Sequence, residues 1–252
     1  MAAPDAIASS RGDGRLEYLG DAERPFTMLT AFLAVSLAMA SPGFVEHGPR
    51  TGNRVALTFD ACTTTREARP FDPRIPAILH SLNAPATLFV GGGWAGTERS
   101  VLAALARDPL FEIANHSFHH PHLTRLDENG IRGELVRAQD EIAAVTGRRP
   151  VLFRAPYGEL DPRVVKVASS LGLTTVEYDL PSGDPDPRVS TRRLVDWVVG
   201  AARPGSIVVM HLNHPRFHTA EALPEIVAGL RARGFELVTV GELLGVAAPP
   251  GP

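Results

Sequence analysis

Beyond residue 50 the chain repeats one pattern: a short apolar run, a loop, and then a segment with helical periodicity. The runs are three to five residues long and rich in Val, Ile, Phe and Thr, which is typical of buried strands. Strands that alternate with helices predict a mainly parallel sheet. The predicted strands are Val55–Phe59, Ala86–Val90, Phe111–Asn115, Val151–Phe153, Thr174–Tyr178, Ser206–Met210 and Glu236–Val240.

Helix signals fill the segments between these strands. Asp72 and Asp161 each precede a proline, which predicts a capping carboxylate followed by proline at the first helical position. Gly147 is predicted to end one amphipathic helix, and Thr219 to cap another that ends near Gly234. The predicted fold class is therefore α/β. About seven units favour a closed or nearly closed (β/α) barrel, with an open doubly wound sheet as the alternative.

The N-terminal part of the chain holds the one targeting candidate, an uncharged run of 13 residues from Met28 to Ala40. It is shorter than the ~20 residues that a transmembrane helix needs. Its last residues, followed by Ser41, fit a signal-peptide cleavage site, but the preceding segment mixes acidic and basic residues. Export as a secreted, periplasmic or cell-envelope protein is one interpretation. A cytoplasmic chain whose N-terminal segment packs on the domain is the other.

These features predict four parts of the chain. Residues 1–40 form an N-terminal segment with a signal peptide or anchor, and residues 41–50 form a linker. Residues 51–246 form the α/β domain, and residues 247–252, rich in Pro and Gly, form a disordered tail. An N-terminal anchor is the only membrane contact that the sequence suggests.

Charge and cysteine content narrow the classes of partner. The net charge is −3, from 25 basic and 28 acidic residues, and no basic block or stripe occurs. Nucleic acid is therefore not a predicted partner. The single cysteine, Cys62, excludes an intrachain disulfide framework.

Polar side chains collect where the predicted strands end. They are Asp60, His116, Arg154, Asp184 and His211. In parallel α/β barrels the carboxyl ends of the strands form the edge at which active sites are built. Each of these residues alone could be a helix cap or loop filler, but the set together predicts a site at that edge.

Seven of the nine histidines lie in two clusters, residues 116–122 and 211–218. Histidine is the commonest metal ligand and the usual acid–base group near neutral pH. His116 and His120 are four residues apart, so in a helical turn both rings would share one face and could reach one ion. Two histidines and a carboxylate would leave an open position for water, which predicts a metal-dependent site.

Five short motifs then occur in a fixed order: Val55–Asp60, Asn115–Pro121, Phe153–Gly158, Ser182–Pro185 and Ile207–His211. Together they resemble the motifs of the polysaccharide deacetylases with a NodB homology domain, carbohydrate esterase family four, over roughly residues 51–246. The resemblance implies a distorted (β/α) barrel. It also implies removal of acetyl groups, from amides or from esters, on a cell-wall or extracellular polysaccharide.

The resemblance implies a divalent metal, usually zinc, held by an aspartate and by the two histidines that match His116 and His120. By position, Asp60 resembles the general base and His211 the general acid. Arg154 resembles the residue that orients the base. A carboxylate beside an arginine and a cation stays ionised, as a base must.

Two further roles follow from the same resemblance. Asp184 would tune the acid, because a neighbouring carboxylate favours protonated histidine. Tyr157 would offer its backbone N–H to the oxyanion of the tetrahedral intermediate.

The match departs from the family pattern at Ala61, where a second aspartate usually supplies the metal carboxylate. Phe59–Cys62 resembles a branch of the family that reads Phe-Asp-Ala-Cys. Asp60, Asp72 or Cys62 could be the third ligand, and a thiolate suits zinc. A buried structural cysteine is the alternative for Cys62.

The residues in and near the motifs do not identify the substrate. Pro185 replaces a tryptophan that often lines the sugar groove of the family. Trp94, after the second strand, could stack on a sugar ring or pack in the core. His214 and His218 could contact substrate, bind a second ion or face solvent.

Three functions therefore compete. The leading one is a metal-dependent deacetylase of an acetylated polysaccharide. The second keeps the site but acts on a small amide or imide. The third is a non-catalytic glycan-binding protein, which the loss of a carboxylate at Ala61 favours and the retained acid–base set opposes.

Overall fold

The computed structural model describes residues 43–62 and 71–246. The described residues belong to one compact unit. The predicted N-terminal segment, residues 1–40, and the predicted tail, residues 247–252, lie outside the described residues. Among the residues described, no helix combines the length and the apolar character needed to span a bilayer.

The described residues form one sheet of nine strands, in which all ladders are parallel. The strands are β1 Phe44–Val45, β2 Arg54–Ala61, β3 Ala86–Val90, β4 Phe111–Asn115, β5 Leu152–Phe153, β6 Thr174–Val176, β7 Leu180–Pro181, β8 Ile207–His211 and β9 Glu236–Val238. Their spatial order is β1-β6-β5-β4-β3-β2-β8-β7, and β9 pairs with the beginning of β2. Within the described residues no ladder joins β1 to β7, so the sheet is a distorted, incompletely closed barrel.

All seven predicted strands are present: β3 and β4 have the predicted bounds, and the ends of the other five differ by at most two residues. The two strands that were not predicted, β1 and β7, are two residues long and carry no readable periodicity. β1 lies in the segment predicted as a linker and pairs with β6, Phe44 opposite Thr175. That part of the predicted linker therefore belongs to the sheet.

Eight α-helices connect the strands within the described residues. They are α1 Arg74–Ser81, α2 Gly92–Thr97, α3 Arg99–Leu105, α4 Glu128–Thr146, α5 Pro162–Ser170, α6 Thr191–Ala201, α7 Thr219–Ala232 and α8 Val240–Leu244. Two 3₁₀ turns, Leu123–Arg125 and Pro156–Gly158, lie in loops at the carboxyl edge of the sheet.

Most of the predicted helix boundaries are confirmed. The Asp161 side chain accepts the N–H groups two and three residues later, and Gly147 ends α4 with a φ of 75°. Asp72 accepts the N–H two residues later, at 3.0 Å, but α1 begins at Arg74 with Pro73 at its N-cap, so the predicted proline at the first helical position is wrong. The predicted Thr219 cap is wrong, because this buried residue begins α7 and its hydroxyl donates to Asp184 instead.

Strand β2 shows how the two faces of the sheet differ. Its outward residues, Val55, Leu57, Phe59 and Ala61, belong to the larger hydrophobic cluster, which also contains residues of the surrounding helices. The inward Ala56 lies in a smaller apolar cluster inside the sheet. The next inward residues are Thr58 and Asp60, so the interior changes from apolar to polar toward the carboxyl edge.

A substitution at Gly205 tests whether residues 48–49, which precede β2, pack against the rest of the fold. Its φ is +79°, and a Cβ there would lie 2.5 Å from the carbonyl oxygens of Gly48 and Pro49. Gly205→Ala should therefore lower the free energy of unfolding by the ~1–2 kcal/mol of a left-handed residue plus about 1–3 kcal/mol of overpacking. Urea denaturation of the variant and of the unmodified protein measures the total loss.

Gly172→Ala is the matched control, because Gly172 has a φ of +74° but a Cβ added there would meet nothing within 4 Å. Gly172→Ala should therefore lower the free energy of unfolding only by the ~1–2 kcal/mol of backbone strain. Equal losses in the two variants would show that residues 48–49 do not pack against Gly205 in solution.

Candidate active site

The five polar residues predicted at the strand ends lie together at the carboxyl edge of the sheet. Asp60 of β2 is the register partner of His211 in β8. Val90 of β3 pairs with Asn115 of β4, which in turn pairs with the last residue of β5, so His116 and Arg154 follow at the same level. A cavity of about 340 Å³ opens there, lined among others by Asp60, Cys62, His116, His120, Tyr157, Asp184 and His211.

Arg154 is fully buried and holds Asp60. Its Nη1 donates to Thr58 Oγ1 and to Asp60 Oδ1, both at 2.8 Å. Its guanidinium carbon lies 4.0 Å from the ring centroid of Phe89, and Nε and Nη2 donate to two main-chain carbonyls at and just after the end of β6. A buried cation with this many partners is fixed in one position.

The pKa of Asp60 is lowered. Burial alone would raise the pKa, but the charges of Arg154, His116 and His211, with the Arg154 hydrogen bond, outweigh it. The carboxylate is therefore ionised near neutral pH, although it is almost completely buried.

His116 is oriented by the same arginine through its main chain. Its Nδ1 lies 2.9 Å from the carbonyl oxygen of Arg154, which places a proton on Nδ1 and leaves Nε2 as the ligand atom. Nε2 lies 3.8 Å from Asp60 Oδ2. Burial lowers the pKa of His116, so the neutral form, which binds metals, is favoured.

His116 and His120 do come together, with ring centroids 5.0 Å apart, but the predicted helical turn is wrong. The segment is a loop in which Ser117 and His120 have φ values of 61° and 58°. Glu134 of α4 accepts two main-chain N–H groups of this loop, at 2.8 and 3.0 Å. These anchors offset the strain of two left-handed residues.

Cys62 completes a cluster with the two histidines. The ligand atoms of Cys62, His116 and His120 lie within 4.8 Å of one another, the one such group of three among the described residues. Asp72 is not part of it, because its carboxylate binds the Arg74 guanidinium at 2.7–3.2 Å. Of the predicted third ligands, Cys62 therefore lies best for an ion shared with both rings.

The Asp184 carboxylate accepts two hydrogen bonds from His211. His211 Nδ1 lies 2.9 Å from Asp184 Oδ1, and the His211 main-chain N–H donates to Oδ2 at 2.8 Å. The hydroxyls of Ser182 and Thr219 donate to the same carboxylate at 3.0 and 2.8 Å. The ring is thus held in one orientation through Nδ1, and His211 lines the cavity.

Tyr157 has a left-handed backbone, with a φ of 63° in the 3₁₀ turn. Its hydroxyl donates to the His120 carbonyl oxygen at 3.2 Å, and its ring stacks on His122 with centroids 4.2 Å apart. The turn is therefore tied to the loop that carries His116 and His120. The role of the Tyr157 N–H as an oxyanion donor stays a prediction.

Burial decides the prediction for Trp94, whereas the alternatives for His214 and His218 stay open. Trp94 has no exposed surface and lies in the larger hydrophobic cluster, so the predicted stacking on a sugar is wrong and the core alternative holds. His218 is exposed, as expected for a solvated side chain. His214 stacks on Phe217, with centroids 4.0 Å apart.

Glu177 was missed by the sequence analysis, because it lies inside a segment predicted to be a buried strand. Its Oε1 accepts the N–H of Ala155 at 3.1 Å, so it supports the segment between Arg154 and Tyr157. Burial raises the pKa of Glu177 to about 7, and the negative charge of Asp60 adds to the effect. An acidic residue among Thr and Val in a buried run was the available signal.

Glu177→Gln should remove a pH dependence of stability. Between the ordinary pKa of 4.5 and the folded pKa of about 7, the unfolded chain has lost the proton that the folded chain retains. The free energy of unfolding of the unmodified protein should therefore fall by roughly 3 kcal/mol as the pH rises through this window. Glu177→Gln should escape that fall in urea denaturation at pH 4.5, 6 and 8.

Glu225→Gln, an exposed carboxylate on α7, is the control and should follow the unmodified protein. If the stability difference between Glu177→Gln and the unmodified protein is the same at pH 4.5 and 8, Glu177 does not titrate in this range.

Comparison with known proteins gives the same family as the motifs. A model of the polysaccharide deacetylase family matches residues 47–176. A chitooligosaccharide deacetylase of Bradyrhizobium sp. (strain ANU 289) is 30% identical over 213 residues, covering 79% of this chain and 94% of that protein.

Solved structures agree with this result. A peptidoglycan N-acetylglucosamine deacetylase superposes with a TM-score of 0.75 at 26% identity, covering 82% of this chain and 95% of the other. A pseudoenzyme of the same family from Bacillus anthracis superposes with a TM-score of 0.74 at 28% identity, covering 82% and 70%. The predicted distorted (β/α) barrel is confirmed by these superpositions. The chain belongs to the polysaccharide deacetylase family.

Proposed function

We propose that this protein is a metal-dependent deacetylase of an acetylated cell-wall or extracellular polysaccharide. Family membership makes the chain a hydrolase of carbon–nitrogen bonds other than peptide bonds. The observation that carries the finer proposal is the arrangement around one cavity: an ionised, arginine-held carboxylate, a cluster of ligand atoms and a histidine–aspartate pair.

The ligand cluster fits zinc by its chemistry. One thiol and two imidazoles are ligands that zinc prefers, and three protein ligands leave one coordination position open. Cys62, His116 and His120 would hold the ion. When bound, zinc supplies Lewis-acid polarisation of the acetyl carbonyl.

Asp60 is proposed as the general base. Arg154 donates to Oδ1 of Asp60, so the base role falls to the other carboxylate oxygen, Oδ2. Asp60 lines the cavity. Because the carboxylate is ionised, it can take a proton from the attacking water. The fixed guanidinium keeps it aimed without a reorganisation cost during the reaction.

His211 is proposed as the general acid. Its Nδ1 is bound to Asp184, so the proton for the leaving amine would come from Nε2. The Asp184 carboxylate favours the protonated ring. The Tyr157 N–H, on the turn next to His120, is proposed to stabilise the oxyanion.

The proposed substrate class follows from the relatives. One is named a chitooligosaccharide deacetylase and another a peptidoglycan N-acetylglucosamine deacetylase. Both names describe glycans with N-acetylglucosamine, so we expect this chain to remove acetyl groups from such a polymer outside the cytoplasm. O-acetyl esters are a chemically related class to be assayed beside the amides.

The second candidate is a non-catalytic glycan-binding protein. Two observations favour it: the apolar Ala61, which packs in the larger hydrophobic cluster, and the similarity to a pseudoenzyme of the family. Two hydrogen-bonded pairs, Asp60 with Arg154 and His211 with Asp184, favour the enzyme, because glycan binding alone needs neither pair.

Replacing His211 separates the two candidates. His211→Ala should lower kcat by about 10²–10⁴-fold, since the leaving amine loses its proton donor, and should leave binding of chito-oligosaccharide nearly unchanged. Acetate released from chito-oligosaccharide and from peptidoglycan measures kcat. His218→Ala, an exposed histidine of the same cluster, is the control and should retain activity. Binding without acetate release by the unmodified protein would favour the second candidate.

Metal content tests the ligand set. The purified protein should retain about one zinc per chain after dialysis, and Cys62→Ser should weaken zinc binding by at least about tenfold, because a thiolate is exchanged for a weaker hydroxyl ligand. A competition assay with a chromogenic chelator measures the affinity. Asp72→Asn is the matched control, since its carboxylate binds Arg74. Loss of zinc in Asp72→Asn but not in Cys62→Ser would reverse the assignment.

A further inference from the structure

A second cavity adjoins the active-site cavity. Its volume is about 780 Å³, and it shares Pro181, Ser182 and Gly183 with the site. Its other wall is helix α6 and the turn before it, with Trp197 and the charged side chains of Arg192, Arg193 and Asp196. The two cavities therefore lie next to each other along the segment that begins at β7 and are together called the groove.

Trp197 presents an aromatic surface to this groove. It is 52% exposed, and together with Tyr157, at 51%, it is one of two exposed large hydrophobic side chains among the described residues. Tyr157 lines the active-site cavity and Trp197 the neighbouring cavity. The two exposed aromatic residues thus lie in the same groove, one in each part.

The indole of Trp197 is held in place. Its Nε1 donates to the carbonyl oxygen of Pro181 at 2.8 Å. This bond ties α6 to β7, the strand that leads into Ser182 and Asp184. Because the ring is already fixed, a ligand that stacks on it loses little ordering entropy.

The chemistry of the groove suits a carbohydrate. Sugar rings have apolar C–H faces that pack on aromatic rings, and hydroxyl rims that accept and donate hydrogen bonds. The Arg192 side chain, at 2.9 Å from Asp196, and the neighbouring Arg193 provide polar groups along the rim. The occupant that fits both features and reaches the site is an extended glycan chain.

We propose that Trp197, with the Pro181–Gly183 segment, forms a subsite that binds one sugar ring of a glycan chain while a nearby acetylated sugar occupies the active-site cavity. This inference rests on the proposed function and adds a length requirement to it. A chain long enough to span both cavities should be preferred over a short one.

Substrate length is the direct test. The ratio of kcat/KM for chitohexaose to kcat/KM for chitobiose should fall about tenfold in Trp197→Ala, mainly through KM for the hexamer. Trp197→Phe keeps an aromatic face and should retain most of the ratio. Equal losses on both substrates in Trp197→Ala, or no loss on either, would overturn the subsite. Thermal unfolding of each variant separates a folding defect from a binding defect.

Fluorescence keeps the subsite testable if the unmodified protein releases no acetate. The chain has two tryptophans, and Trp94 is fully buried, so a change of emission on addition of chitohexaose should come from Trp197. That change should vanish in Trp197→Phe, and the Kd for chitohexaose, measured by isothermal titration calorimetry, should weaken about tenfold in Trp197→Ala. Binding with unchanged Kd in Trp197→Ala would contradict the subsite, whereas absence of turnover contradicts only the proposed function.

Discussion

The site depends on one buried ion pair, between Arg154 and Asp60. A guanidinium without solvent contact is tolerable only with a full set of partners, and Arg154 has the carboxylate, the Thr58 hydroxyl, two main-chain carbonyls and the face of Phe89. The same residue directs its own carbonyl oxygen to His116. One side chain therefore fixes the proposed base, and its main chain fixes a proposed metal ligand, so that the two cannot move independently.

The strands supply the geometry that this pair requires. Alternation along β2 sends Asp60 inward while Ala61 packs outward in the hydrophobic cluster, and the next inward residue is Cys62. Register then aligns Asp60 with His211 across β8. The apolar Ala61 packs away from the cavity, whereas Cys62, the proposed ligand, lines the cavity. Glu177 is a further buried carboxylate near the site. It accepts the N–H of Ala155, the residue just before the turn that carries Tyr157.

Apolar runs of three to five residues were sufficient to predict seven strands and the α/β class, whereas β1 and β7 are too short to leave a pattern. The strand-end rule correctly predicted that the polar residues meet, because it depends only on parallel topology. Local geometry was less predictable. The conformation of the loop from His116 to His120 depends on Glu134 of α4, the next α-helix along the chain. The burial of Trp94 depends on tertiary packing that spacing does not encode. Trp197 carried no motif, and its exposure became visible only in the fold.

The chain is similar both to proteins named as deacetylases and to a pseudoenzyme, which makes the ligand set the central question. X-ray absorption at the zinc edge of the loaded protein measures that set directly. A thiolate from Cys62 with the two histidines predicts one sulfur scatterer at about 2.3 Å and two nitrogen scatterers at about 2.0 Å. A spectrum that fits nitrogen and oxygen alone would contradict the account, because it would exclude Cys62 and return the third position to a carboxylate.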